Sequence, residues 1–190
     1  MRPTTVDDLR ADAARNRARV LEVARELLAA GEATLPMNTI ARLAGVGIGT
    51  VYRHFPTRQA LLESAVMGGF EQLLAEAQSA AADDDPGAGL ERLLRYGIRL
   101  QLGDVGLAAV LRSPECACAR TSRLRADLLK AVGRLLERAR EAGAIRPEIG
   151  ADDVRRLSCG IVQAVRAGSS DEAEIDRYTN VLLCGIRPDR

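Results

Sequence analysis

"GVGIGTVYRHF", residues 45–55, carries three of the chain's seventeen glycines, its only histidine and two of its five aromatic residues. Periodicity orders this mixture. Ile48, Val51 and Phe55 recur at the three- and four-residue spacing of one helical face, which leaves Gly47, Gly49, Thr50, Arg53 and His54 on the other and Tyr52 at the margin. That outer face is small, polar and cationic. Gly49 inside a helix of this length costs about 1 kcal/mol relative to Ala, so the close approach of another group is the reason to look for. Thr50 and Tyr52 offer hydroxyls to phosphates, and Arg53 can fork onto a guanine edge.

Upstream, Met37, Ile40, Ala41 and Ala44 make a short apolar stripe closed by Gly45, a residue suited to the left-handed conformation of a tight turn. Two short helices joined by Ala44-Gly45-Val46-Gly47 match a helix-turn-helix, whose second helix is presented to a DNA major groove. Val20, Leu21, Ala24, Leu27 and Leu28 predict an earlier helix over residues 14–30, ended by Gly31. Downstream, Pro56 stops the second short helix, and Thr57 can cap a further one with Arg58 in its first turn. Ala60 stands where a full capping box would place Glu or Gln. Charge is consistent with this reading: residues 1–62 carry a net +3, the remainder a net −2, and no acidic residue lies between Ala33 and Leu62. A solvated basic face accounts for the charge alone equally well.

A chain of 190 residues with 47% apolar content can bury a sizeable core. Every apolar run is too short to cross a bilayer, and the N-terminal stretch has acids and arginines where a secretory signal needs an apolar core. A cytoplasmic protein without membrane contact is expected. Cys116, Cys118, Cys159 and Cys184 are too few and too scattered for a disulfide scaffold, and C-x-C with one distant histidine is no zinc site. No metal and no cofactor are expected.

"TIARLAGVGIGTVYRHFPTRQALL", residues 39–62, resembles the helix-turn-helix of the TetR family of bacterial transcriptional regulators and the start of its fourth helix. The ordered run of A-G-V, G-T-V-Y, H-F and a basic residue before A-L-L carries the likeness. It implies DNA contacts by Gly49, Thr50, Tyr52, Arg53 and His54, with Tyr52 and Arg58 on the phosphate backbone; Ile48 completes the candidate DNA-binding set. Pro36 departs from the family's usual Ser or Thr at the start of the second helix and offers no hydroxyl there. The implied architecture is all-α: a DNA-binding domain over residues 14–73, built on a three-helix helix-turn-helix, and a helical-bundle effector-binding and dimerisation domain over 74–190. The segment "GAIRPEIGADDVRRL" resembles the SbtR-like type of C-terminal domain.

Beyond a fourth helix running from Thr57 to about Ala80, "AAADDDPGAG" reads as a loop, and helical stripes then resume. Met67 and Phe70 on that fourth helix could face Tyr96, Leu100, Val110 and Leu128, with Arg99 and Gln101 as polar anchors. This lining would suit a small, mostly apolar effector, and a filled core explains it equally well. Gly68-Gly69 weaken the helix that joins this cluster to the DNA-binding unit. The last two helices carry stripes of Val154, Leu157, Ile161 and Val162, and of Ile175, Tyr178 and Leu182, the second opened by a capping box at Ser169-Ser170-Asp171-Glu172. The resemblance implies that these helices form a homodimer as a four-helix bundle. The expected function is a repressor released from a palindromic double-stranded DNA operator by a small molecule, with no catalytic constellation. Two alternatives are a thiol-based redox sensor or helical enzyme built on Cys116 and Cys118, and a constitutive DNA-binding protein without an effector.

Overall fold

The computed structural model describes residues 6–32, 34–169 and 171–188. The described residues form helices and no strand: α1 (Val6–Ala29), α2 (Met37–Leu43), α3 (Ile48–His54), α4 (Arg58–Ala65), α5 (Met67–Ala81), α6 (Pro86–Gly103), α7 (Val105–Arg112), α8 (Ala119–Glu141), α9 (Ala151–Ala167) and α10 (Glu172–Ile186). Helices α1 to α3 pack on one another, and α4 lies against α1. In the larger bundle α5 is held between α6 and α8, with α9 across α6 and α10 against both α6 and α9. Phe70, Leu61, Ile98, Leu107, Leu135 and Leu136 are fully buried and join the two parts in one apolar core.

Side-chain caps set the starts of α4, α6, α7 and α10. Thr57 accepts the Ala60 amide at 3.0 Å, so α4 begins where the sequence places its cap. Asp85 accepts from Gly87 and Ala88 with Pro86 in the first turn of α6, so the acidic Pro-Gly stretch is both a loop end and a helix start. Asp104 accepts from Leu107 to open α7. At α10 the cap is Asp171, which accepts the Glu174 amide at 2.7 Å, and not the serine of the expected capping box. Ser169 instead donates its hydroxyl toward Asp171 and Glu174; Ser170 lies outside the described residues. A carboxylate at that end also meets the positive end of the helix dipole.

The expected single helix from Thr57 to about Ala80 is two helices, broken at Val66. The cause is tertiary. Val66 packs so closely on α7 that a Cβ on Gly106 would stand 2.8 Å from its Cγ1, and one on Gly69 would stand 3.2 Å from Leu107. Glycines on both sides let the helices touch, and the chain bends around the contact. At the bend Arg25 of α1 donates to the Ala65 carbonyl at 3.2 Å, partnering an acceptor at the end of α4.

Candidate nucleic-acid interface and ligand cavity

The turn between α2 and α3 rests on Gly45, whose φ of +63° only glycine takes readily. Its amide donates to Arg42 and that of Val46 to Ala41, which closes α2 and redirects the chain. Val51 and Phe55 are buried against the other two helices, and the Arg17 guanidinium lies 5.2 Å above the Phe55 ring. Ile48 does not join them: it opens α3 ahead of the buried turn and is 38% exposed, on the same side as Gly49, Tyr52 and Arg53. Thr50 and His54 are half-buried at the edges of this face. An added Cβ at Gly49 would meet nothing within 4 Å, so nothing inside the fold requires glycine there. Arg58 is exposed and donates to the Thr34 carbonyl at 3.0 Å, which fixes it beside this surface. Pro36 stands at the N-cap of α2 with no side-chain hydrogen bond.

A cavity of about 80 Å³ lies in the larger bundle, bounded by α5, α6, α8, α9 and the end of α7. Leu73, Leu93, Leu94, Leu128, Val132 and Val154 make most of its wall; Gln101, Ser158, Cys159, Arg125 and Arg155 supply its polar atoms, and half-exposed Leu129 stands at its rim. Of the six residues expected to line an effector site, Leu128 does so. Phe70 and Val110 are wholly buried in filled core, and half-buried Met67, displaced by the bend at Val66, is not in the wall. Tyr96 and Leu100 occupy an adjoining face of α6, along an open groove with Arg92, Arg95 and Arg99. Gln101 lines the cavity, whereas Arg99 is taken up by Glu172 and Asp176 of α10.

Two further groups connect this cavity to α4. Arg125 donates to the carbonyls of Val110 at 2.7 Å and Pro114 at 3.1 Å, gripping the α7–α8 connection from the cavity side. Glu63 of α4, only 1% exposed, accepts the amides of Ala117 at 2.7 Å and Cys118 at 2.9 Å and the Gln59 side chain at 3.0 Å. Burial pushes the Glu63 carboxyl up, but the hydrogen bonds from Ala117, Gln59 and Cys118 outweigh it and hold it below its ordinary range. The sequence contained a signal for this residue: Glu63 interrupts the inward apolar run Leu61, Leu62, Ala65, Val66. The Cys118 thiol is pushed up by burial and then by the Glu63 charge, the reverse of what an attacking thiolate requires.

Residues 85–188 match the C-terminal domain described as "Transcriptional regulator SbtR-like", and residues 20–65 match "Bacterial regulatory proteins, tetR family". The chain belongs to the TetR family. A TetR transcription regulatory protein from Mycobacterium vanbaalenii is 35% identical, with 95% of this chain and 99% of that one covered and a TM-score of 0.50. A TetR transcriptional regulator from Streptomyces coelicolor is 30% identical over 92% of this chain and 99% of its own, with a TM-score of 0.55. An HTH-type transcriptional regulator from Staphylococcus aureus is 34% identical over 77 residues, and the match spans 40% of each chain.

Within this TetR-family chain the last two helices carry two apolar faces, and the expected interface set is divided between them. Val154, Val162 and Leu182 are buried inside their own subunit, and Ile161, Ile175 and Tyr178 are half-buried. All of these but Tyr178 pack into the core, because α9 lies on α6 and α8 and α10 on α6 and α9. Of the set, Leu157 alone is exposed, at 44%. The uncovered stripe is Leu157, Gly160 and Ala164 on α9 with Ala173, Val181 and Cys184 on α10, Val181 being 65% exposed.

Proposed function

We propose that this TetR-family chain is a cytoplasmic, sequence-specific DNA-binding repressor that works as a two-fold dimer on an inverted-repeat operator. A small, mostly apolar molecule entering the cavity releases it. The observation that carries the reading is the face of α3: Ile48, Gly49, Tyr52 and Arg53 are exposed, and no acid lies between Ala33 and Leu62 to repel phosphates. Bare Gly49 admits a base edge or phosphate to the backbone. Arg53 points from the same surface with its fork free to read a guanine. The chain acts by binding, without catalysis of its own.

A gel shift against DNA upstream of the chain's own gene tests the first part. Arg53→Ala is expected to cost about 1–3 kcal/mol of operator affinity and relax base preference at one position. Arg58→Ala should weaken all sequences similarly and flatten the salt dependence by about one unit. Unchanged affinity and base preference in Arg53→Ala would remove α3 as the reading helix.

Release requires that the ligand distinguish the DNA-bound from the free form. The strap between the cavity and α4 supplies a physical link: Arg125 holds Pro114, Glu63 holds Ala117 and Cys118, and α4 begins at Thr57 directly after α3. A coupling of about 1–3 kcal/mol would lower operator affinity some 5- to 150-fold. Ligands found by thermal-shift screening should lower it in the unmodified protein. Leu128→Trp, which fills the cavity, should keep operator affinity and abolish both ligand binding and release. Full release by the same ligand in Leu128→Trp would place the effector elsewhere.

A further inference from the structure

Nothing in the fold accounts for isoleucine at position 48. Val51 and Phe55 are buried, whereas Ile48 is 38% exposed and lies outside the apolar core. Its neighbours on both sides are bare backbone. An added Cβ at Gly49 would meet nothing within 4 Å, and one at Gly47 would meet the Thr50 hydroxyl alone, at an ordinary 3.9 Å. Helix propensity does not ask for this sequence either: Gly47 caps α3 without a side-chain hydrogen bond, and both Gly and β-branched Ile are poorer helix formers than Ala or Leu. On an ordinary surface a single exposed aliphatic side chain needs no explanation. Ile48 stands instead on the face of Gly49, Tyr52 and Arg53, in a stretch with no acid from Ala33 to Leu62, and in the first turn of the helix, where a helix-turn-helix reaches base edges.

Resting on the reading of α3 as the helix that enters the major groove, we infer that Ile48 reads the 5-methyl group of a thymine at one symmetric position in each half of the operator. Base edges in that groove present nitrogen and oxygen atoms to polar side chains and one apolar group, the thymine methyl. Against any other edge the isoleucine would cover a donor or acceptor and give it no partner. Glycine on either side makes Ile48 the sole side chain of residues 47–49, so the backbone can approach the groove until that one group meets the base. Arg53 follows five residues later, about 7.5 Å along the helix axis. The two side chains therefore address different base pairs, one through a guanidinium and one through a hydrocarbon.

Operator duplexes in which thymine is replaced by deoxyuridine, which lacks only the methyl, test this on the full-length protein by titration. Thymines are exchanged one at a time and then as symmetric pairs. At one position the exchange is expected to lower affinity about fourfold in one half-site and roughly fifteenfold in both, the worth of one buried carbon per contact. In Ile48→Ser that position should become indifferent to the methyl, while the response at every other thymine stays as it was. The inference is overturned if no thymine responds, or if the responding one still does so in Ile48→Ser. Arg53→Ala on the same operator separates this failure from a larger one. If Arg53→Ala weakens binding and relaxes base preference, α3 remains the reading helix and only the methyl contact is lost; if it changes neither, both readings fall.

Discussion

Glutamate at both Leu157 and Val181 is expected to split the dimer and abolish tight operator binding while leaving each subunit folded. Both side chains are uncovered in the single subunit, at 44% and 65% exposure, so the charges meet water there and cost the fold little. Leu157 stands ten residues before the end of α9 and Val181 nine residues after the start of α10, and the two helices are in contact. Around them Gly160 and Ala164 leave room for a facing helix to approach closely. In a two-fold interface each substitution acts twice. Burial of a valine or leucine side chain contributes about 1.5–3 kcal/mol, and a carboxylate sealed in without a partner is opposed by more than the lost burial. Dissociation by two orders of magnitude or more follows, and a lone subunit then reaches one half-site with too few contacts. Val162→Glu is the control that separates interface from core. At 1% exposure it puts a charge inside the subunit, so helicity itself should be lost. Sedimentation, circular dichroism and operator titration read the three effects. A double variant that stays dimeric with undiminished operator affinity would show that the pairing surface lies elsewhere.

That control also marks where sequence reading stops. The helix-turn-helix was legible because its determinants are local: the Gly45 turn, the inward Val51 and Phe55, and the Thr57 cap all act within a few residues. Ile48 faces outward although its spacing matches the inward Val51 and Phe55, because a helical period carries no information on where the neighbouring helices end. The bend at Val66 has no proline to announce it, only Gly68-Gly69 just beyond, and its place is set by Gly106 and Leu107 far along the chain. The cavity was harder still. Periodicity separates inside from outside, but it cannot say which part of an interior is empty: Phe70 and Val110, expected to line the effector site, stand in filled core. Arg125 and Arg155 come from helices that meet only in the folded bundle, over carbonyls whose direction depends on how α7 ends. In α9 and α10 the most regular apolar stripe belongs to the subunit's own core. The surface left for a partner is a mixture of Gly, Ala, Leu and Val that no single period isolates.

Glu63→Gln is expected to destabilise the protein at neutral pH and to leave a signature that simple loss of packing would not. The carboxylate offers two oxygens, one to the Ala117 amide and one to the Cys118 amide. Gln keeps a single acceptor and turns an N–H group toward the other donor, so one buried amide loses its partner, at a cost of about 1–3 kcal/mol. For a chain of this size each kcal/mol lowers Tm by about 2–4 °C. The pH dependence follows from the folded-state value lying below the ordinary one. The unfolded chain binds a proton to this group first as pH falls, so its contribution is fully present above the ordinary carboxylate range and disappears as pH drops through the lower, folded-state value. The stability gap between the two proteins should therefore be widest near neutrality and shrink below about pH 4.5, the range where an unperturbed glutamate takes up its proton. Chemical denaturation at a series of pH values measures it. A packing defect would give a gap independent of pH, and no gap at neutrality would mean that the two amides find other acceptors. Because the same hydrogen bonds tie the α7–α8 connection to α4, Glu63→Gln should also weaken release by any ligand that binds the cavity while leaving ligand affinity in the absence of DNA nearly unchanged. Loss of stability with release fully retained would show that Glu63 secures the fold and that the signal from cavity to α4 travels by another contact, the close packing of Val66 on Gly106 being the next to test.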